Sequence, residues 1–553
     1  MKIDIKKTLA ALSIVALASS CGDFGDLNVD PEHSNASNVN YQMVFTNAEH
    51  QALGSDWDVW RDGLIYLSQW NQHIAAGGWW WSYGVNSYSN GYAASYWTVL
   101  SSGGRGVIRD LQTVISKWKD DSANAQNYQI ARIIRAYTFM KLTDLYGDIP
   151  YSQAGQPDKY PYPKYDKQED IYKDILNELD EAQANLGTGT ASLGTQELFY
   201  NGDVAKLKKL ANSLMLRAAM RLVKVAPDLA KTYAAKAYAN GVITTNADDC
   251  YLMHTGGVTT NDSSEPYAKI IVHEDPGIAY INPTFYDSLN VHHDPRIPLI
   301  MCVYPDGYET KDYDPAKIEN SDPAKQKPLP GFYSMSSSSA YSIQKYLPKE
   351  FTDEVLNDTK SDKYYKKVYS QPNRSTYGDP TGPSFVCTAA QTNLLLAEAA
   401  LRGYINGDAK TFYENGVRCA MKQFSVYPSV NAKNLVSTYL TDAAIQKYLD
   451  ENPYKPSEAL NQINTQYWIT CFFDEYEAYA NWRRSGYPEL KSKVKNLTNW
   501  QELGVKNTDI VRRMPYADDE LQINTENYKE ALSRLGLTNE NDFNDTRVWW
   551  DAK

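Results

Sequence analysis

From Tyr128 to Leu145 the apolar residues Ile130, Ile133, Ile134, Tyr137, Met140 and Leu145 fall at three- and four-residue steps, which predicts a helix with one buried face that stops at Gly147 and Pro150. The pattern repeats at Tyr172, Ile175, Leu176, Leu179, Ala182 and Leu186, after the acids Asp166, Glu169 and Asp170 that suit a helix N-terminus. A third amphipathic stretch runs from Val204 through Leu207, Leu210, Leu214, Ala218 and Leu222 to Val225 and is expected to end at Pro227. Residues Gln391 to Tyr404 and Thr411 to Phe424, split by the turn Asn406-Gly407-Asp408, read as an antiparallel helix pair. Helix pairs recurring along a chain suggest a tetratricopeptide-like array, in which each pair buries its open face on the next, although no repeat consensus is legible.

Two stretches break this pattern. Between Trp57 and Trp97 rings alternate with Gly and Asn, and a helix interior does not tolerate that many of the latter, so about 76 to 91 reads as an exposed loop carrying aromatics. Within it Trp79, Trp80 and Trp81 cannot all face one core, whereas Trp57, Trp60 and Trp97 sit beside apolar neighbours and read as core rings. The second stretch, Ile271 to Pro348, is rich in Pro, Tyr and Ser and reads as loops with short strands.

Composition sharpens the aromatic signal. Tyr 43 against Phe 13 and Trp 13 gives most rings a polar edge, suited to surfaces partly wet and partly stacked. The net charge of −12 argues against a nucleic-acid partner, whose recognition needs a cationic surface. Lys2, Lys6 and Lys7, the apolar run Leu9 to Ala18, and small residues before Cys21 form a secretion leader, residues 1–20, too short to span a bilayer of roughly 20 residues. Cys21 stands where a bacterial lipoprotein is cleaved and acylated, and residues 21–40, with Asp23, Asp26, Asp30 and Glu32, make a solvated tether. Residues 41–553 then form a single domain with loop-rich segments at about 76–100 and 271–348. The five other cysteines are scattered and read as buried free thiols.

Catalytic signatures are missing: there is no GxSxG elbow, phosphate loop, HExxH or dinucleotide fingerprint. His292-His293-Asp294 lacks a second ligand cluster and reads as a polar turn, so no metal is expected. Asp474, Glu475 and Glu477 have the residue type for a helical glycosidase, but Tyr467, Cys471 and Tyr479 at helical spacing around them favour a helix with an acidic outer face. Rings mixed with amides on a loop suit a carbohydrate platform, since an aromatic face stacks on a pyranose while amides take its hydroxyls; the same rings could grip a peptide.

Six segments together resemble the SusD/RagB outer-membrane lipoproteins: 21–31 (CGDFGDLNVDP), 136–150 (AYTFMKLTDLYGDIP), 393–403 (NLLLAEAALRG), 481–490 (NWRRSGYPEL), 510–516 (IVRRMPY, with Asn524) and 546–551 (TRVWWD). The resemblance implies a mainly α, tetratricopeptide-like helix-pair array with irregular loop-rich insertions. It also implies a protein lipid-anchored through Cys21, facing the cell exterior, that captures oligosaccharides, or peptides in some members, for a SusC-like TonB-dependent transporter. No bond chemistry and no cofactor are implied. Family members carry ligand-binding aromatics in an early and a mid-chain loop, which by position alone nominates Trp79, Trp80, Trp81 and Tyr83 as stacking rings, Asn86 and Asn90 as hydroxyl partners, and Tyr333 and Tyr341. Trp482, Arg483 and Arg484 are expected to be core or barrel-facing, and Gly486 and Pro488 to close a helix begun near Leu460.

Overall fold

The computed structural model describes residues 39–76, 90–100, 106–256, 263–274, 279–303, 322–328, 369–490, 510–538 and 546–553. Helix α1 (Tyr41–Ala52) leads into a composite helix α2 over 56–70, whose middle, Val59–Leu67, is wound as a π-helix. Then come α3 (Val107–Trp118), α4 (Ala125–Tyr146), α5 (Gln168–Asn185), α6 (Val204–Arg221) and α7 (Pro227–Asn240). Each of α3 to α7 packs on its chain neighbour, and α1 packs on α3. A second group, α8 (Ala389–Leu401), α9 (Ala409–Lys422), α10 (Ala459–Thr470) and α11 (Glu475–Ser485), joins the first where α8 meets α6 and α11 meets α4 and α2. Among the described residues no helix is long and apolar enough to cross a membrane.

The boundaries follow local chemistry. Asp203 caps α6 by accepting from Ala205 N and Lys206 N, and Thr388 with Gln391 forms a capping box at α8. Pro227 does not end α6, which stops at Arg221; it opens α7, where its missing N–H costs nothing. The helix expected to run from Leu460 to Gly486 is two helices, broken at Cys471 to Asp474, where Phe473 has φ 67°. Gly486, at φ 81°, closes the second in the left-handed conformation.

Sheets are minor and antiparallel. Strand β1 (Ile74–Ala76) pairs with β3 (Ala279–Ile281), and β2 (Cys250–Met253) pairs with β4 (Pro383–Cys387). The stretch expected to hold only loops and short strands contains β3 but also the helix Pro283–Asn290, capped by Asn282. Cys250, Cys302, Cys387 and Cys471 are buried free thiols, and Cys419 is half-buried and free.

The core is unusual for its charges. Arg221, Arg296, Arg483, Arg484 and Arg513 are among the largest fully buried side chains. Arg484 meets Glu398 in two parallel bonds, Nη1 to Oε1 at 2.8 Å and Nη2 to Oε2 at 2.7 Å, and Asn464 and Arg402 bond the same carboxylate. Burial opposes charge on Glu398, yet Arg484 and Arg402 hold its carboxyl down to about 2. Nearby, Asp144 takes bonds from Tyr172, Trp550 Nε1 and Arg221, and Arg221 also bonds Glu477. Arg483 donates to the carbonyls of Tyr479, Asp144 and Arg512, while Arg512 pairs with Asp551.

These contacts correct one expectation. The helix carrying Glu475 and Glu477 has no acidic outer face: Glu475 is buried against Asn71 and His73, and Glu477 against Arg221 and Tyr467. The segments 136–150, 393–403, 481–490, 510–516 and 546–551 thus each contribute residues to these buried polar contacts, which tie the helices together.

Candidate functional site

At one end of α2 the chain opens into a cleft of about 720 Å³. Ser55 starts the helix with a capping box, donating and accepting with Asp58, and this fixes the first turn. Trp57 lies in that turn, so instead of joining the core, as its apolar neighbours suggested, it is 55% exposed. Arg61 stands four residues on, one helical turn along the same face. Its guanidinium carbon lies 4.8 Å from the Trp57 ring centre and 4.9 Å from that of Tyr92, a cation held between two rings. Trp60 packs beside both, at 5.3 Å from Trp57 and 5.9 Å from Tyr92. Arg61 Nε has no hydrogen-bond partner, and among the described residues no carboxylate pairs with Arg61.

The opposite wall comes from three short elements. The π-helix brings Gly63 against Tyr267; a Cβ there would lie 2.7 Å from the Tyr267 hydroxyl, so only glycine lets the turn Pro266–Lys269 seat on α2. Lys269 thereby reaches Asp56, and the two form an ion pair at the cleft wall. The β2–β4 pairing sets Leu252 opposite Ser384, which places the next side chain, His254, on the Ser384 hydroxyl at 2.9 Å. Ser384 Oγ in turn donates to Glu265 Oε1 at 3.2 Å.

Burial pushes Glu265 up to about 8, against the hydrogen bonds that Ala268 and Ser384 donate to it, and burial with His50 nearby pushes His254 down to about 4. At neutral pH this floor is therefore an uncharged hydrogen-bond chain. The connectivity is not that of a hydrolase triad: the serine lies between the histidine and the carboxyl, and the histidine does not bridge serine and acid. A cleft with an exposed indole, a clamped cation and neutral donors and acceptors is equipped to bind a polar molecule with flat apolar faces.

Of the residues nominated from sequence, Trp79, Trp80, Trp81, Tyr83, Asn86, Tyr333 and Tyr341 lie outside the described residues, as does Cys21. Asn90 opens the short helix Asn90–Ala93, which delivers Tyr92 to Arg61. Sequence reading missed Trp57, Arg61 and His254. The pair Ser55 and Asp58, a capping-box spacing that encloses a ring with an arginine four residues after that ring, was the available signal. The candidate metal turn is otherwise engaged: His292 Nδ1 lies 2.7 Å from Asn452 Oδ1 and Asp294 is paired with buried Arg296. Among the described residues no cluster of His, Cys, Asp or Glu could hold a metal ion.

Residues 81–516 match the SusD-like family described as "Starch-binding associating with outer membrane". The chain belongs to the SusD-like family. Solved structures agree with this membership. A protein described as a chitin-binding protein is 28% identical, with a TM-score of 0.75 over 93% of this chain and 100% of its own. A SusD-like protein of Bacteroidetes AC2a is also 28% identical, with a TM-score of 0.76 over the same shares. A chitin-binding SusD homologue from Flavobacterium johnsoniae shares the fold at 22% identity, with a TM-score of 0.65 over 93% of this chain and 99% of its own. No curated protein matches the chain. The array described above is therefore the mainly helical, tetratricopeptide-like SusD fold, and the chain is a glycan-binding protein of an outer-membrane-associated family, not an enzyme.

Proposed function

We propose that this SusD-like protein captures a neutral oligosaccharide in the cleft at Trp57 and Arg61. It hands the sugar to a SusC-like TonB-dependent transporter while held at the outer face of the outer membrane by acyl chains on Cys21. The observation that carries the reading is the clamped Arg61, without a carboxylate partner among the described residues, beside an exposed indole. The indole supplies a stacking face for a pyranose, and the guanidinium and the neutral His254–Ser384 floor supply bonds to hydroxyls. Trp79, Trp80, Trp81, Tyr83, Asn86 and Asn90 precede Tyr92 in the chain, and these, with Tyr333 and Tyr341, are proposed as further contacts. The chitin-binding relative at 28% identity makes N-acetylglucosamine oligomers the first probe, and the family description makes malto-oligosaccharides the second.

The test is calorimetric titration of the protein with the N-acetylglucosamine hexamer and with maltohexaose. Binding of one of them without release of new reducing ends is expected. Trp57→Ala is expected to weaken it about tenfold, the upper end of one ring contact of about 0.5–1.5 kcal/mol. Unchanged affinity in both Trp57→Ala and Arg61→Met would remove the cleft from consideration. Labelling of whole cells with a fatty-acid analogue is expected to mark the natural chain and not Cys21→Ala.

A further inference from the structure

The cleft does not end at Arg61. A second pocket, of about 530 Å³, lies beyond it, and Arg61, Ser95 and Thr98 line both. The two spaces therefore share one wall, and the clamped guanidinium stands between them rather than at the end of either. The far pocket repeats the chemistry of the near one with other residues. Tyr160, half-buried, offers a ring, and Pro157 and Pro161 offer flat apolar edges. Gln153 and Gln156 offer amides: the Gln153 oxygen accepts from Lys164 N at 3.0 Å and Gln156 Nε2 donates to Ser152 O at 3.4 Å, so both are held in place. Their loop is pinned on α3, because at Gly155 a Cβ would lie 2.8 Å from the Ile108 carbonyl. Asp518 and Asp519 edge the same pocket, which disfavours an acidic ligand there.

We infer that the far pocket is a second sugar subsite, so that the ligand is a linear, uncharged oligosaccharide long enough to cross Arg61 and occupy both pockets. This rests on the capture of a neutral oligosaccharide at the near cleft. Each pocket alone falls in the size range of about 300–1,000 Å³ that holds a small ligand, so short oligomers fill the near pocket and only longer ones gain the far contacts.

The experiment is a length series of N-acetylglucosamine oligomers and of malto-oligosaccharides, from disaccharide to octasaccharide, titrated into the natural chain, Tyr160→Ala and Gln156→Ala. Circular dichroism and melting serve as fold controls, since both side chains are half-buried at the surface. For the ladder that binds, affinity is expected to rise with length and then to level off. Tyr160→Ala is expected to lose about three- to tenfold for the longest oligomers, the worth of one ring contact, and nothing for the shortest that bind. Equal affinity of variant and natural chain at every length overturns the second subsite while leaving the near cleft intact. An equal loss at every length also overturns it, because Tyr160 would then be acting on the near pocket. No binding of either ladder to the natural chain would instead bring down the capture of neutral oligosaccharides itself, and the subsite with it.

Discussion

Of the arginines that lie between aromatic rings, Arg483 and Arg61 differ in everything else. Arg483 is fully buried, 3.9 Å from the Tyr479 ring centre and 4.8 Å from that of Trp550, with carbonyls on Nε, Nη1 and Nη2. Arg61 is half-buried between Trp57 and Tyr92 at a cleft, and its Nε is unpartnered. A buried cation is tolerable only when its donors are satisfied, so the first arginine is a structural strut with nothing left to offer. The second stands at a cleft wall, its buried Nε without a hydrogen-bond partner and its guanidinium without a carboxylate among the described residues. The same side chain in the same kind of ring clamp is thus a strut at Arg483 and, in the proposed function, a ligand contact at Arg61, according to what takes its hydrogen bonds.

The sharpest way to break this contrast is to remove a cation from each region. Arg484→Met leaves buried Glu398 with only the half-exposed Arg402 as cation and is expected to cost about 3 kcal/mol in urea unfolding, with the affinity of the folded fraction unchanged. Arg61→Met is expected to do the opposite: stability within about 0.5 kcal/mol of the natural chain, and affinity for the bound hexasaccharide down about tenfold. If Arg61→Met proved the more destabilising of the two, the division into strut and site would be wrong.

Acid separates the regions next. The Glu398 carboxyl is held at about 2, below its ordinary value of 4.5, so its stabilising contribution is complete above 4.5 and disappears as pH falls through about 2. The stability gap between the natural chain and Glu398→Gln is therefore expected to narrow over that window and stay constant above it. In the cleft, Glu265 stays protonated until about 8 and His254 stays neutral down to about 4, so sugar affinity is expected to be flat between pH 5 and 7 and to fall a few-fold above about 8. The Glu265→Gln variant, which cannot ionise, should keep its affinity there.

The smallest expected effect lies at Glu49, buried beside Glu197 and pushed upward by burial and by that neighbour. A raised carboxyl contributes stability below its ordinary value and loses it as pH rises, so Glu49→Gln is expected to gain on the natural chain as pH rises above 4.5. No change in unfolding free energy would place the proton elsewhere in the pair.

What the sequence disclosed follows the same division. The helices α4, α5, α6, α8 and α9 were legible because each carries apolar residues at its own local period. The polar core was not, because Glu475 finds His73 and Glu477 finds Arg221 across hundreds of residues, and nothing near either acid in the sequence announces a partner. The family motifs marked that network without showing what it was for. The cleft was hidden for a different reason: Trp57, between two aspartates and close to Val59 and Trp60, reads as a core ring, and the capping box of Ser55 and Asp58 fixes the turn that leaves it exposed. The helix break at Phe473 and the π-helical turn around Gly63 depend on tertiary packing that no local window contains.

Capture of sugar between Trp57, Arg61 and His254 can be seen in a crystal structure of the protein soaked with the hexasaccharide that binds it. A pyranose ring is expected to lie on the Trp57 indole with a hydroxyl in hydrogen-bond reach of Arg61. A sugar bound at full occupancy elsewhere, with the space between Trp57, Arg61 and His254 holding only solvent, would contradict it.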